Sequence, residues 1–139
     1  EVPNKLVYEV HNYSFGWIKA NVLAMKRQVR YMDVSSEERF KQFEENWGYV
    51  VDTNFAHCTP VILGEFGCSS ISPEVESWLK DLSNYTVGKQ MGFCWWTLEE
   101  ELLNDGSYGL LNANLDKINV DSDWRWPYLK TMLEMTGGD

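Results

Sequence analysis

Three short runs of β-branched and aromatic residues, set far apart and separated by helix-type patterns, constrain this chain more than any other feature. They are Lys5-Leu6-Val7-Tyr8-Glu9-Val10-His11, Pro60-Val61-Ile62-Leu63-Gly64-Glu65-Phe66-Gly67 and Met91-Gly92-Phe93-Cys94-Trp95-Trp96-Thr97. Each has strand length and ends in polar or glycine residues, so strands are predicted over 5–11, 60–66 and 91–97. Between the first two runs, Phe40, Phe43, Trp47, Val50 and Val51 recur on one helical face. Ser35 and Glu38 offer a capping box at its start. Ser72-Pro73-Glu74 opens a second helix with a cap, a proline at the first position and an acid in the first turn. Val75, Trp78, Leu79 and Leu82 form its apolar stripe. A last helix begins near Arg125, runs through Leu129, Met132 and Leu133, and meets a stop at Gly137-Gly138. The predicted helices lie near 36–53, 73–85 and 125–136. The stretch from Tyr13 to about Val34 reads as a long strand-to-helix loop, a place where function is often carried.

Strand, helix, strand, helix, strand, helix implies parallel strands covered by helices, an α/β chain. Three parallel strands leave two open edges and a half-covered apolar face. A closed barrel of parallel strands takes eight of them and about 250 residues. The 139 residues are enough for one core, yet they are predicted to be a single segment of something larger. Glu1 stands directly before a strand pattern, without an initiator Met or signal peptide, so the chain is expected to be processed or cut from a longer one.

A net charge of −9 argues against nucleic acid, which needs a basic patch, and against anionic membranes. No apolar run is long enough to span a bilayer. Seven Trp, seven Tyr and six Phe are more rings than a small core requires. Most read as core, and several are available to line a sugar cleft. The three cysteines, Cys58, Cys68 and Cys94, are an odd count. At least one is free or pairs outside the chain, and the pairing stays open. Asn12-Tyr13-Ser14 and Asn84-Tyr85-Thr86 are acceptor triplets for N-glycans, compatible with a secreted glycoprotein. His11 and His57 lack helical pairing and no cysteine pair has metal-type spacing, so neither a metal nor a cofactor is expected.

Alternation along each strand sorts side chains by face. Val7, Glu9 and His11 point one way, Val61, Leu63 and Glu65 share a face, and so do Gly92, Cys94 and Trp96. If these faces line a barrel interior, His11, Glu65 and Trp96 stand at the C-terminal strand ends, where barrel active sites sit. A carboxylate ending an apolar strand has to be held by partners. An ion pair or a cap onto the next loop is the plain structural reading of Glu65. Gly64 and Gly67 beside it allow close approach of a ligand. His11 alone reads as a core histidine. With Tyr13 two residues on, both reach one cleft, and Glu9 lies one layer below, placed to orient the imidazole. Glu99-Glu100-Glu101 with Asp105 reads as a solvated loop and is the other source of a second carboxylate.

These residues resemble a known family. The run P-V-I-L-G-E-F-G at 60–67 resembles the nucleophile strand of family five glycoside hydrolases, the cellulase family. His11-Asn12-Tyr13 resembles its His-x-Tyr at the end of strand six. Gly92-Phe93-Cys94-Trp95-Trp96-Thr97-Leu98 is similar to its eighth strand, and Tyr108-Gly109-Leu110-Leu111 to the segment leading into the last helix. The resemblance implies the C-terminal part, about strands six to eight, of a TIM (β/α)8 barrel. It implies a retaining β-glycanase of endoglucanase type, secreted, acting on a β-linked polysaccharide or oligosaccharide. Glu65 would be the nucleophile, His11 and Tyr13 would position sugar and nucleophile, and Trp96 would stack under the sugar. Retaining enzymes hold a second carboxyl about 5–5.5 Å from the nucleophile to protonate the leaving oxygen. In the family that acid follows an Asn on strand four, and no Asn-Glu pair occurs here. The resemblance therefore implies an N-terminal half on another chain or a missing segment, and a chain that is inactive alone. The alternative is a non-catalytic half barrel that binds glycans or a protein partner. Glucan, mannan and glycolipid substrates all remain open.

Overall fold

The computed structural model describes residues 6–22, 25–52, 60–69, 71–99, 102–103, 106–111, 117–118 and 120–136. Lys5, His57, Cys58, Glu100, Glu101, Asp105, Gly137 and Gly138 lie outside the described residues, with the sequence readings that fall on them. In chain order the elements are β1 (Tyr8–His11), β2 (Trp17–Val22), β3 (Met25–Arg30), α1 (Ser36–Phe43), α2 (Tyr49–Asp52), β4 (Val61–Phe66), α3 (Pro73–Gly88), β5 (Gly92–Trp95), β6 (Leu102–Leu103), β7 (Gly106–Ser107) and α4 (Trp126–Thr136). β1, β4 and β5 form one sheet in the order β1-β4-β5, and both pairings are parallel. This is the architecture that the alternation of strand and helix patterns predicts.

Both helix starts follow from their caps. The Ser35 hydroxyl accepts from the Glu38 amide at 3.3 Å, and the Ser72 hydroxyl from the Val75 amide at 3.2 Å, each satisfying a donor that the first helical turn leaves open. The single helix expected over 36–53 is instead divided. A wide π-type turn, Glu44–Gly48, separates α1 from α2. The Tyr85 hydroxyl donates to Glu44 in that turn at 2.5 Å. α3 continues to Gly88, past the expected end at 85.

The segment from Tyr13 to Val34 is not an irregular loop. It carries an antiparallel hairpin that pairs Trp17 with Arg30 through to Val22 with Met25. Its sequence alternates with period two, but between Val22 and Met25 the sequence holds no glycine or asparagine of the kind that usually marks a two-residue hairpin. A second small hairpin pairs β6 with β7 just after Glu99, in the stretch expected to be a loop.

One face of the parallel sheet is the core. Val61, Leu63 and Phe66 pack with Phe43, Trp78, Leu79, Leu82, Leu129 and Met132. Full burial of such a side chain contributes about 1.5–3 kcal/mol. Leu133, assigned to the apolar stripe of the last helix, is exposed. Arg39 lies inside this core. It pairs with Asp81 on α3 and donates to the carbonyls of Tyr31 and Val34 at 2.8 Å each, locking α1 and the turn before it onto α3.

Candidate active site

The site is made by an irregularity in β4. β1 and β4 run in step from Tyr8 opposite Val61 to Val10 opposite Leu63, and then His11 stands opposite Glu65. Gly64 is skipped. An extra residue on one strand turns the side chains beyond it to the other face. Strict alternation, which grouped Val61, Leu63 and Glu65, is therefore corrected. Val61 and Leu63 are buried in the core, whereas Glu65 lies on the opposite, open face beside His11. On β1 and β5 the alternation holds: Glu9, His11, Gly92, Cys94 and Trp96 are all on the exposed side, while Val10, Phe93 and Trp95 pack against the core.

Glu65 accepts a hydrogen bond from one side and has an imidazole beside it on the other. The Tyr13 hydroxyl donates to its Oε1 at 2.5 Å. His11 Nδ1 lies 3.7 Å from its Oε2. The carboxylate side chain keeps 28% of its surface open. Its backbone carbonyl accepts from the Asn12 amide at 3.0 Å, which continues the parallel ladder one residue beyond β1. The structure thus brings His11, Tyr13 and Glu65 into one cluster at the C-terminal end of the sheet.

Trp96 reaches the same end by another route. Its amide donates to the Phe66 carbonyl at 2.8 Å, and the Trp96–Thr97 peptide is cis. The Trp96 carbonyl runs so close to Gly67 that a Cβ on residue 67 would overlap it. Glycine is required there by backbone contact, independent of any ligand. The Trp96 side chain is exposed, and its backbone lies beside the end of β4. Tyr13 is flanked by Phe15, stacked at 5.1 Å between ring centroids, and by the edge of Tyr108 at 6.4 Å. Aromatic rings thus border the carboxylate cluster.

A buried arginine anchors this wall. Arg125 donates to the carbonyls of Cys68, Tyr108 and Gly109 at 2.8, 3.1 and 2.6 Å, pairs with Asp123 at 2.6 Å, and sits over the Trp95 ring. It joins the loop after β4 to the loop before α4. Burial raises the Asp123 carboxyl, but the Arg125 hydrogen bonds and charge outweigh it and hold that group below the usual carboxylate range.

Comparisons with known proteins bear on the fold that carries this cluster. No protein-family model matches the chain. An endoglucanase from Paenibacillus polymyxa is 28% identical over 113 residues, covering 78% of this chain and 25% of that protein. An endocellulase from Pyrococcus horikoshii, solved in complex with cellotetraose, superposes with a TM-score of 0.67 at 19% identity, over 93% of this chain and 32% of that one. The chain is similar to the C-terminal part of a family five cellulase barrel. A β-glucanase from Saccharophagus degradans gives a TM-score of 0.57 at 20% identity, over 92% of this chain and 33% of its own. The chain thus spans about a quarter to a third of the length of these relatives.

Other residues of the chain stand apart from the cluster. Among the described residues, Cys68 and Cys94 are free thiols, and burial pushes the Cys68 thiol up to about 12. Asn12 is buried and accepts from the Trp78 indole at 2.9 Å, so its triplet has no room for a glycan in this fold. Asn84 is exposed on α3. Among the described residues no group of three or more His, Cys, Asp or Glu is arranged to hold a metal ion, and no helix is long and apolar enough to cross a membrane. Sequence reasoning missed Asn12 as a strut, Phe15 as the ring behind Tyr13, and Arg125 as the anchor of the wall. A single arginine before an amphipathic helix carries no signal of its own.

Proposed function

We propose that this chain is the C-terminal portion of a retaining β-glycanase of endoglucanase type, with Glu65 as its nucleophile. The observation that carries the reading is the ionisable cluster at the end of β4: a partly open carboxylate held by the Tyr13 hydroxyl at 2.5 Å, with His11 at 3.7 Å. Glu65 attacks the anomeric carbon and forms a glycosyl ester while a second carboxylic acid protonates the leaving oxygen. Water then hydrolyses the ester, with that second group acting as base. Tyr13 and His11 orient the attacking oxygens, and Trp96 offers its ring to the apolar face of the sugar. The substrate is a β-linked glucan or a related glycan. A polymer of that kind is met outside the cell, which supports a secreted protein.

The acid belongs to barrel strands that pack against the open edges of this sheet, on a preceding segment or another chain. Protonation of the leaving group contributes roughly 10²–10⁴-fold, so residues 1–139 alone turn over little or no substrate. Supplying the N-terminal half of such a barrel is expected to restore hydrolysis of a soluble β-glucan. Glu65→Gln then abolishes turnover while sugar binding persists, and Trp96→Ala weakens binding. Robust hydrolysis by the isolated chain that survives Glu65→Gln would sink this assignment and direct attention to Glu99 and its acidic neighbours.

A second reading is a non-catalytic half barrel that binds a glycan or a protein partner. The exposed Leu6, Val7 and Tyr8 along the edge strand favour it. The mass of the native particle separates the two. A second polypeptide or longer chain bearing an Asn-Glu strand supports the enzyme, and a stable particle of this chain alone supports the binding module.

A further inference from the structure

Glu9 takes no part in the chemistry proposed above, yet the fold makes room for it. Its Oε1 lies 3.2 Å from His11 Nε2. An ionised carboxylate can only accept, so this contact requires the proton on Nε2, and it turns Nδ1 toward Glu65. Exposed pairs two residues apart on a strand are ordinarily worth little. Gly64 distinguishes this one. A Cβ built on residue 64 would overlap Oε1, Cγ and Cδ of Glu9, and these are its three nearest atoms. Gly64 is also the residue that the β1-β4 register skips. The Glu9 side chain therefore lies across the α-carbon of the bulged residue, and the bulge is what places Glu65 opposite His11.

We propose that Glu9 is a positioning residue: seated on Gly64, it holds His11 with its proton on Nε2 and its Nδ1 facing Glu65. The proposal rests on the reading of Glu65 as nucleophile for its catalytic consequence, and its structural content is testable without turnover. Glu9, His11, Glu65 and Tyr13 then form one continuous row of side chains, in which the first two aim the second pair. A second-layer carboxylate that fixes an imidazole's tautomer and direction is a general means of orienting a functional histidine.

The test is nitrogen-15 NMR of the histidine rings at alkaline pH, with His57→Asn used to assign the two histidines. The native protein is expected to carry the His11 proton on Nε2. Glu9→Ala should release the ring into a mixture of tautomers. Gly64→Ala should do the same although it leaves Glu9 in the sequence, because the new methyl displaces the carboxylate. The double variant should be no worse than either single one, since truncating Glu9 removes the three atoms that the methyl would overlap. In the complete enzyme, Glu9→Ala is expected to lower kcat on the order of tenfold to a hundredfold with KM little changed. A His11 proton on Nδ1 in the native protein, a tautomer indifferent to Glu9→Ala, or strictly additive effects of the two substitutions would each overturn the proposal. Failure of the Glu65 assignment looks different: turnover survives Glu65→Gln while the tautomer shift in Glu9→Ala remains.

Discussion

The two faces of one three-stranded sheet could hardly be less alike. Toward the helices, Leu63 and Phe66 are fully buried against Trp78, Leu79, Leu82 and Met132. Toward the opposite side, Glu9, His11, Gly92, Cys94 and Trp96 are exposed and Glu65 is partly open. The strands serve both faces with the same backbone. The buried face supplies stability, because apolar area is removed from water there. The open face keeps carboxylates, an imidazole and rings at the strand ends, where burial would penalise their charge. The lesson is a division of labour across a single sheet thickness, with Gly64 as the point where β4 changes allegiance.

If that division is real, substitutions on the core face change stability and those on the open face change chemistry. The largest loss is expected for Trp78→Ala, which empties a fully buried site and also strips Asn12 of its hydrogen-bond donor. About 3–5 kcal/mol should disappear, read by urea unfolding. Arg39→Met should come close behind, roughly 3–5 kcal/mol, because Asp81 is left buried without its partner. Adding Asp81→Leu should recover much of that loss. If both variants keep wild-type stability, the buried face is not the source of the fold's free energy.

The Asp123–Arg125 pair ties the loop after β4 to the loop before α4 and should show itself in acid. The Asp123 carboxyl is held below its ordinary value in the folded protein. Its contribution is therefore complete above the unfolded value of about 3.9 and is lost as the pH falls through the lower, folded one. Between about pH 5 and pH 2 the native protein should lose stability more steeply than Asp123→Asn. Parallel pH curves for the two would remove the pair from the account. Smallest of all, Cys94→Ser on the open face should shift stability by no more than about 0.5 kcal/mol. A larger shift would mean that the exposed face carries packing energy after all.

Much of the architecture is legible without coordinates. The three apolar runs became β1, β4 and β5, and Ser35 and Ser72 capped the helices that they announced. The hairpin β2-β3 was hidden because the sequence between its strands carries no glycine, asparagine or aspartate signal. The candidate cluster was legible in its residue types, since His11, Tyr13 and Glu65 each stand at a strand end. The side of the sheet on which Glu65 lies was reached through the wrong companions. Period two gave Val61 and Leu63 as its neighbours, and both went into the core.

Local chemistry wrote the elements into the sequence: side-chain branching, apolar spacing, caps and the proline at the start of α3 act within a few residues and need no distant partner. The order of strand and helix then limited the sheet to parallel pairing. Tertiary structure alone decided what depends on two segments meeting. The bulge at Gly64 arises where β1 and β4 align with one residue to spare, and it carries Glu65 to the open face. The seat of Glu9 on Gly64, the strut from Asn12 to Trp78 and the Arg125 anchor all join residues remote in sequence or strand, so no single stretch of chain encodes them. Register and packing are properties of pairs of segments, and they became definite only when the strands paired and packed on the helices.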